Sequence, residues 1–283
     1  MKVGLIPINI GAQSAEQLAG MAQVAEAAGY ESVWTFEHVI IPVDYESKYP
    51  YNDSGKMGAP PETNMVDPLV ALTYIAAKTE KIRLGTGVNI LSQVNPIYIA
   101  KQSASLDMLS NGRFMLGVGI GWLREEFEAL GVPFERRGAR FDDYVAGMRK
   151  IWSGDVVEHQ SDFINWTNFK SYPLPAQNPM PVVIGGIKGK IHQRIARLGN
   201  GWYAPTTDLD ELRHHFGEIR KACDEIGRDF SEIEMTCMWP GQGGKEALAA
   251  LEEVGVHRVV VPLFALGANP VEGMQKLAEE VIA

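Results

Sequence analysis

Short apolar runs alternate along the chain with stretches whose apolar residues recur at helical spacing. The runs fall at residues 2–9, 32–36, 82–88, 113–119, 181–186, 201–204, 232–239 and 258–263. They show little strict alternation of polar and apolar positions, as strands covered on both faces do. The stretches between them open on helix-start signals. Ser14 precedes Gln17, and Asp208 precedes Glu211, at the spacing of a capping box. Asp67-Pro68, Asn95-Pro96 and Asn269-Pro270 each set a side-chain acceptor before a proline suited to the first helical turn. Behind these signals, Leu18, Met21, Ala22 and Ala25 share one helical face, as do Met274, Leu277, Ala278 and Val281 in the last stretch. Two sections break the rhythm. Residues 41–65 are rich in tyrosine, proline and glycine, and residues 154–181 in proline, asparagine and aromatics.

Short strands separated by helices imply parallel βαβ units. Eight such units in 283 residues predict an α/β fold, a single (β/α)8 TIM barrel over residues 1–283 with the two irregular sections as insertion loops. Length alone suggests two domains, but no linker separates the units. An open doubly wound sheet would need fewer strands or a second domain. The hydrophobic fraction of 46% and charged fraction of 22% exclude a disordered chain. The net charge of −9 leaves no basic face for nucleic acid. No apolar run is long enough for a membrane span, and the start lacks a signal peptide. Cys223 and Cys237 offer neither a metal spacing nor a disulfide framework. The expectation is a cytoplasmic protein that binds a small molecule, with no metal and no nucleic-acid or membrane partner.

Barrels carry their chemistry where the strands end at the C-terminal face. The residues there are Glu37-His38, Gly87-Val88-Asn89, Gly119-Ile120-Gly121-Trp122, Gly185-Gly186, Trp202 and Met238-Trp239. His38 is the candidate for proton transfer because imidazole titrates near neutrality; the competing reading is a loop histidine. Glu37 is its sequence neighbour, but adjacent strand side chains point to opposite faces. Gly117-Val-Gly-Ile-Gly121 is half a dinucleotide fingerprint, equally a tight β-to-α turn. Gly185-Gly186, with Lys188 and Lys190 nearby, is either an anion site at a helix start or an ordinary turn. Glycines and tryptophans at a barrel mouth suit a large flat ring with a phosphate tail.

Several segments together resemble the bacterial luciferase-like monooxygenase superfamily: Leu84-Gly-Thr-Gly-Val88, Asn95-Pro-Ile-Tyr-Ile-Ala-Lys-Gln102, Ser105 through Arg113, and Leu116 through Phe127. The segment from Glu125 to Gly138 is similar to the coenzyme F-420-dependent (deazaflavin) branch of that superfamily. The resemblance implies a barrel that binds a reduced flavin or deazaflavin at the strand C-termini. It implies a non-prolyl cis peptide at Gly87-Val88 behind the ring, with Asn89 and Gly119 beside it. Gly185-Gly186 match the cofactor-phosphate turn, and His38 matches a histidine that approaches the ring. Two positions depart from the sugar-phosphate dehydrogenase branch. Trp122 stands where that branch has an acidic glutamate, and Pro42 where it has a tryptophan. Asn200 replaces the usual aspartate between Gly199 and Gly201.

The resulting expectation is an oxidoreductase or monooxygenase using coenzyme F-420, with FMN as the alternative cofactor, on a small organic substrate. His38 and Glu37 are its expected catalytic residues. Gly87, Val88, Asn89, Gly119, Gly185, Gly186 and Trp202 are expected at the cofactor. Trp122 and Trp239 are expected in the substrate pocket, and residues 41–65 as a lid. A non-catalytic flavin-binding barrel is the alternative, and a homodimer is expected by analogy. A nicotinamide-dependent enzyme would need a fingerprint at the first strand, which residues 2–11 lack.

Overall fold

The computed structural model describes residues 1–282. Its strands are β1 (Lys2–Ile6), β2 (Ser32–Thr35), β3 (Arg83–Thr86), β4 (Asn89–Ile90), β5 (Phe114–Gly119), β6 (Val157–Gln160), β7 (Asn165–Phe169), β8 (Val182–Gly185), β9 (Gly201–Ala204), β10 (Glu234–Met238) and β11 (Arg258–Pro262). The parallel order β3-β2-β1-β11-β10-β9-β8-β5 closes on itself through a β3–β5 pairing, which makes a (β/α)8 barrel. The helices are α1 (Ala15–Ala27), α2 (Pro68–Ala76), α3 (Pro96–Leu109), α4 (Arg124–Ala129), α5 (Arg137–Trp152), α6 (Ile191–Leu198), α7 (Leu209–Asp224), α8 (Gly244–Val254) and α9 (Pro270–Val281). Asp67, Asn95, Asp208 and Asn269 cap their helices as their spacing predicts. Ser14 caps α1, but Gln17 reaches back to the Gln13 amide at 2.8 Å.

Each strand alternates between two environments. Val33, Leu84, Val118, Ile184, Trp202, Cys237 and Val259 belong to the large core between barrel and helices. Ile6, Trp34, Met115, Val183, Tyr203 and Val260 form a second cluster inside the barrel, flanked by Phe36 and Met238. Trp34 is fully buried and dominates this interior. Its bulk explains a glycine on the neighbouring strand: a Cβ at Gly85 would lie 2.4 Å from the indole. Below it, at the strand N-termini, the fully buried Arg258 pairs with Glu31 at 2.7 Å and Glu234 at 2.8 Å. Such a paired, hydrogen-bonded ion is tolerated in the interior, and it closes the end of the barrel away from the site.

Two elements differ from the sequence expectation. The section 154–181 contains an antiparallel hairpin, β6–β7. Its mixed polar residues carry no clear period, because the hairpin is half-exposed and packs only one side on α5. The third barrel strand is also split, with β3 ending at Thr86 and β4 starting at Asn89. The Gly87–Val88 peptide between them is cis. Among the described residues no helix is long and apolar enough to cross a membrane.

Candidate active site

The chain leaves β2 through Phe36, Glu37 and His38, and the last two side chains part company. Glu37 turns to the neighbouring strand, where it accepts from Asn89 Nδ2 at 2.7 Å and from the Ile90 amide. Burial pushes its carboxyl up to about 7, helped by the charges of Glu126 and Asp67 and opposed by the hydrogen bonds from Ile90 and Asn89. His38 turns the other way. Its Nδ1 lies 2.8 Å from Oε2 of Glu126 on α4, and Glu126 Oε1 accepts from the Val39 amide at 2.6 Å. Glu126 is fully buried. The carboxylate that partners His38 is therefore Glu126, and Glu37 instead anchors the β3–β4 exit. Adjacent residues on an extended chain point to opposite sides, which is why the Glu37-His38 dipeptide does not make a pair.

Val88 forms the floor of the mouth. Its two methyls lie over β5 and β8, where a Cβ at Gly119 would come within 2.7 Å of Cγ2 and one at Gly185 within 2.7 Å of Cγ1. Gly119 and Gly185 are thus notches that receive one side chain. Gly117 is a third notch, since a Cβ there would fall 1.7 Å from the Thr86 carbonyl oxygen. Gly186 has φ of +116°, and its carbonyl accepts from the Trp202 indole N–H at 2.8 Å. That φ suits glycine and few other residues. Lys188 and Lys190 of the same turn are exposed.

Two tryptophans expected at the mouth lie elsewhere. Trp202 is fully buried in the outer layer, 5.8 Å from Phe216 and 5.3 Å from His215 between ring centres. It reaches the site only through its bond to Gly186. Trp239 belongs to the same outer core and donates to the Gln242 carbonyl at 3.1 Å. Strand alternation decides both cases: Tyr203 and Met238 are the residues that face inward. Trp202 and Trp239, expected at the cofactor and in the substrate pocket, therefore lie behind the mouth in the layer between barrel and helices.

Trp122 does meet the mouth residues. Its ring stands edge-on to His38 at 5.9 Å, to Tyr45 at 5.8 Å and to Tyr49 at 5.2 Å. Tyr45 and Tyr49 come from the irregular section 41–65. The start of α4 holds that section down: Glu125 Oε1 accepts from the Glu46 amide at 2.7 Å and the Ser47 amide at 3.1 Å. Further along, the Tyr51 hydroxyl lies 3.9 Å from where a Gly186 Cβ would stand. The section therefore crosses the mouth from Trp122 to the Gly185-Gly186 turn. Asn200 lies away from this end. It accepts from Arg149 at 2.8 Å and from the Val182 amide at 3.1 Å, where β8 and β9 begin.

The family profile for luciferase-like monooxygenases matches residues 5–276. The chain belongs to this luciferase-like family. An uncharacterised protein of Mycobacterium tuberculosis is 30% identical over 272 residues, 93% of each chain. The oxygenase component of the flavin-dependent trigonelline monooxygenase of Acinetobacter baylyi is 26% identical over 225 residues, 77% of this chain and 56% of that protein. The F420-dependent hydroxymycolic acid dehydrogenase of Mycobacterium tuberculosis is 26% identical over 201 residues, 70% of this chain and 51% of that one. An F420-dependent secondary alcohol dehydrogenase shares the fold with a TM-score of 0.79 at 15% identity, covering 99% of this chain and 98% of that one. The FMN-bound oxygenating constituent of the 3,6-diketocamphane monooxygenase of Pseudomonas putida does so with a TM-score of 0.74 at 16% identity, covering 99% and 98%.

Glu126 is not among the residues expected from the sequence, where the resemblance points to the position directly behind the glycine run, held by Trp122. The available signal was a carboxylate on a short helix directly after a barrel strand, where loop chemistry belongs. Nothing local to residues 41–65 points Tyr45 and Tyr49 at Trp122.

Proposed function

We propose that this luciferase-like protein is an oxidoreductase that uses a reduced deazaflavin, coenzyme F420, on a small organic substrate under the lid of residues 41–65. FMN is the second cofactor reading, favoured by the flavin-dependent relative. The observation that carries the proposal is the His38–Glu126 pair at the same barrel mouth as the Val88 floor. A flat ring fits this mouth: Val88 offers an apolar platform that two glycines make room for. The Gly185-Gly186 turn and the lysines beside it suit the phosphate tail.

When bound, the reduced cofactor would supply a hydride for the substrate or, with O2, the reducing equivalents for monooxygenation. This chain supplies the proton and the enclosure. A carboxylate can only accept hydrogen bonds, so with Glu126 as a carboxylate the contact is His38 Nδ1–H donating to Oε2. That leaves Nε2 as the atom that gives or takes a proton, and the buried carboxylate stabilises the imidazolium when Nε2 is protonated. Glu126 thereby orients the ring, since its other oxygen is tied to the Val39 backbone. Trp122, Tyr45 and Tyr49 give the substrate an apolar aromatic wall and exclude water beneath the lid.

Titration of the purified protein with F420 and with FMN, followed by ring absorbance and fluorescence, tests this reading. Saturable binding of one of them, and its reoxidation with substrate dependent on His38, is the expected result. Binding of neither overturns it.

A further inference from the structure

Tyr203 sits inside the barrel on β9, its ring 5.6 Å from that of Trp34. It is 7% exposed, and its hydroxyl is buried without a hydrogen-bond partner. Native structures rarely leave a buried hydroxyl unpaired, and each such group calls for an explanation. The position of this one is specific. Tyr203 pairs in register with Gly185 on β8, and Gly185 is the notch that receives a Val88 methyl. Cys237 and the Tyr49 phenol of the lid both add electrostatically to the effect of burial on it. Burial raises the phenol far above its ordinary range, so it stays protonated and able to donate. Of the other buried atoms without partners, Asn89 Oδ1 lies at the β3–β4 exit next to Val88, Ser103 Oγ belongs to α3, and Thr35 Oγ1 lies on β2. On β2, Val33 faces the outer core and Trp34 the interior, so Thr35 faces outward.

We propose that Tyr203 is a cofactor-positioning residue, whose hydroxyl inside the barrel donates the hydrogen bond that fixes the polar edge of the bound flavin or deazaflavin ring. This rests on the cofactor reading of the mouth given above. The hydroxyl acts on the ring's placement and electronic environment, not on the substrate.

The test compares wild type, Tyr203→Phe and Thr35→Val. Each is titrated with F420 and with FMN, following ring absorbance and fluorescence, and the melting temperature of each unliganded protein is recorded. Tyr203→Phe keeps the ring and removes a hydroxyl that bonds no protein group, so the unliganded variant melts at or above the wild-type temperature. It binds the cofactor roughly three- to tenfold more weakly, the loss of one net hydrogen bond, and the absorption band of the bound ring shifts. Thr35→Val, which also removes an unpaired buried hydroxyl, binds as wild type does. An unchanged affinity and band in Tyr203→Phe overturn the inference while leaving the cofactor reading intact. Equal weakening in both variants also overturns it. A wild-type protein that binds neither cofactor removes the reading of the site and this inference together.

Discussion

His38 Nδ1 meets Glu126 Oε2 at 2.8 Å across 88 residues of chain, and the same carboxylate ties down the backbone that follows His38. One buried side chain thus sets both the direction of the imidazole and the path of the strand exit. Glu126→Gln keeps the shape but removes the charge that holds the imidazolium. Turnover should fall by one to two orders of magnitude while cofactor affinity stays within about twofold, a loss in proton transfer rather than binding. Steady-state kinetics beside a cofactor titration separate the two; a loss confined to affinity refutes the role. Glu126→Ala also strips His38 Nδ1 and the Val39 and Ile40 amides of their acceptor and should cost about 2–3 kcal/mol in chemical denaturation.

Gly119 and Gly185 each face a Val88 methyl at a distance no Cβ tolerates. Gly185→Ala should cost about 1–3 kcal/mol of stability through overpacking and displace the Val88 floor, weakening cofactor binding. Adding Val88→Ala frees the space that the new methyl needs. The double variant should therefore recover stability relative to Gly185→Ala alone, which thermal melts can read. Additive losses in the pair refute the notch.

Glu37 titrates at about 7 in the folded protein against an ordinary value of 4.5. Its folded pKa is raised, so the folded state holds a proton that the unfolded chain has already released. The associated stability is complete below about pH 4.5 and is lost as pH rises through about 7, by on the order of 3 kcal/mol in all. Glu37→Gln should flatten that part of the stability-against-pH curve. The amide is accommodated because Asn89 Oδ1 lacks a partner and can turn to accept from it. Urea denaturation at pH 5, 6, 7 and 8 measures the slope; an unchanged slope in the variant shows that another group carries it.

Trp202 touches the mouth only through its indole N–H on the Gly186 carbonyl. Trp202→Phe removes that bond and loosens the turn assigned to the phosphate. Affinity for FMN should fall several-fold, the scale of one hydrogen bond, while affinity for riboflavin, which has the ring without the phosphate, should not change. Parallel fluorescence titrations decide it: equal losses for both ligands place the effect at the ring instead.

The barrel was legible because its signals are local. Eight apolar runs and the capping residues Asp67, Asn95, Asp208 and Asn269 act within a few residues of where they stand. Strand alternation, by contrast, needs to be phased against the finished sheet. The run at residues 201–204 shows Trp202 and Tyr203 side by side, and nothing in it says which one faces inward. Tyr203 faces the interior and Trp202 the outer core. The β6–β7 hairpin escaped for a related reason, since a half-exposed pair of strands imposes little pattern on its residues.

The parallel βα rhythm, the helix starts, the end of the barrel where His38, Val88 and Gly186 emerge, and the luciferase-like motifs are all readable along the chain. Which carboxylate serves His38, why Gly119 and Gly185 must lack a side chain, and which aromatics face the mouth emerge with the folded barrel. Those outcomes depend on contacts between strands and loops far apart in the chain, where distance in space bears no fixed relation to spacing in sequence. Glu37 stands beside His38 in the chain and turns away from it; Glu126 stands 88 residues on and holds it.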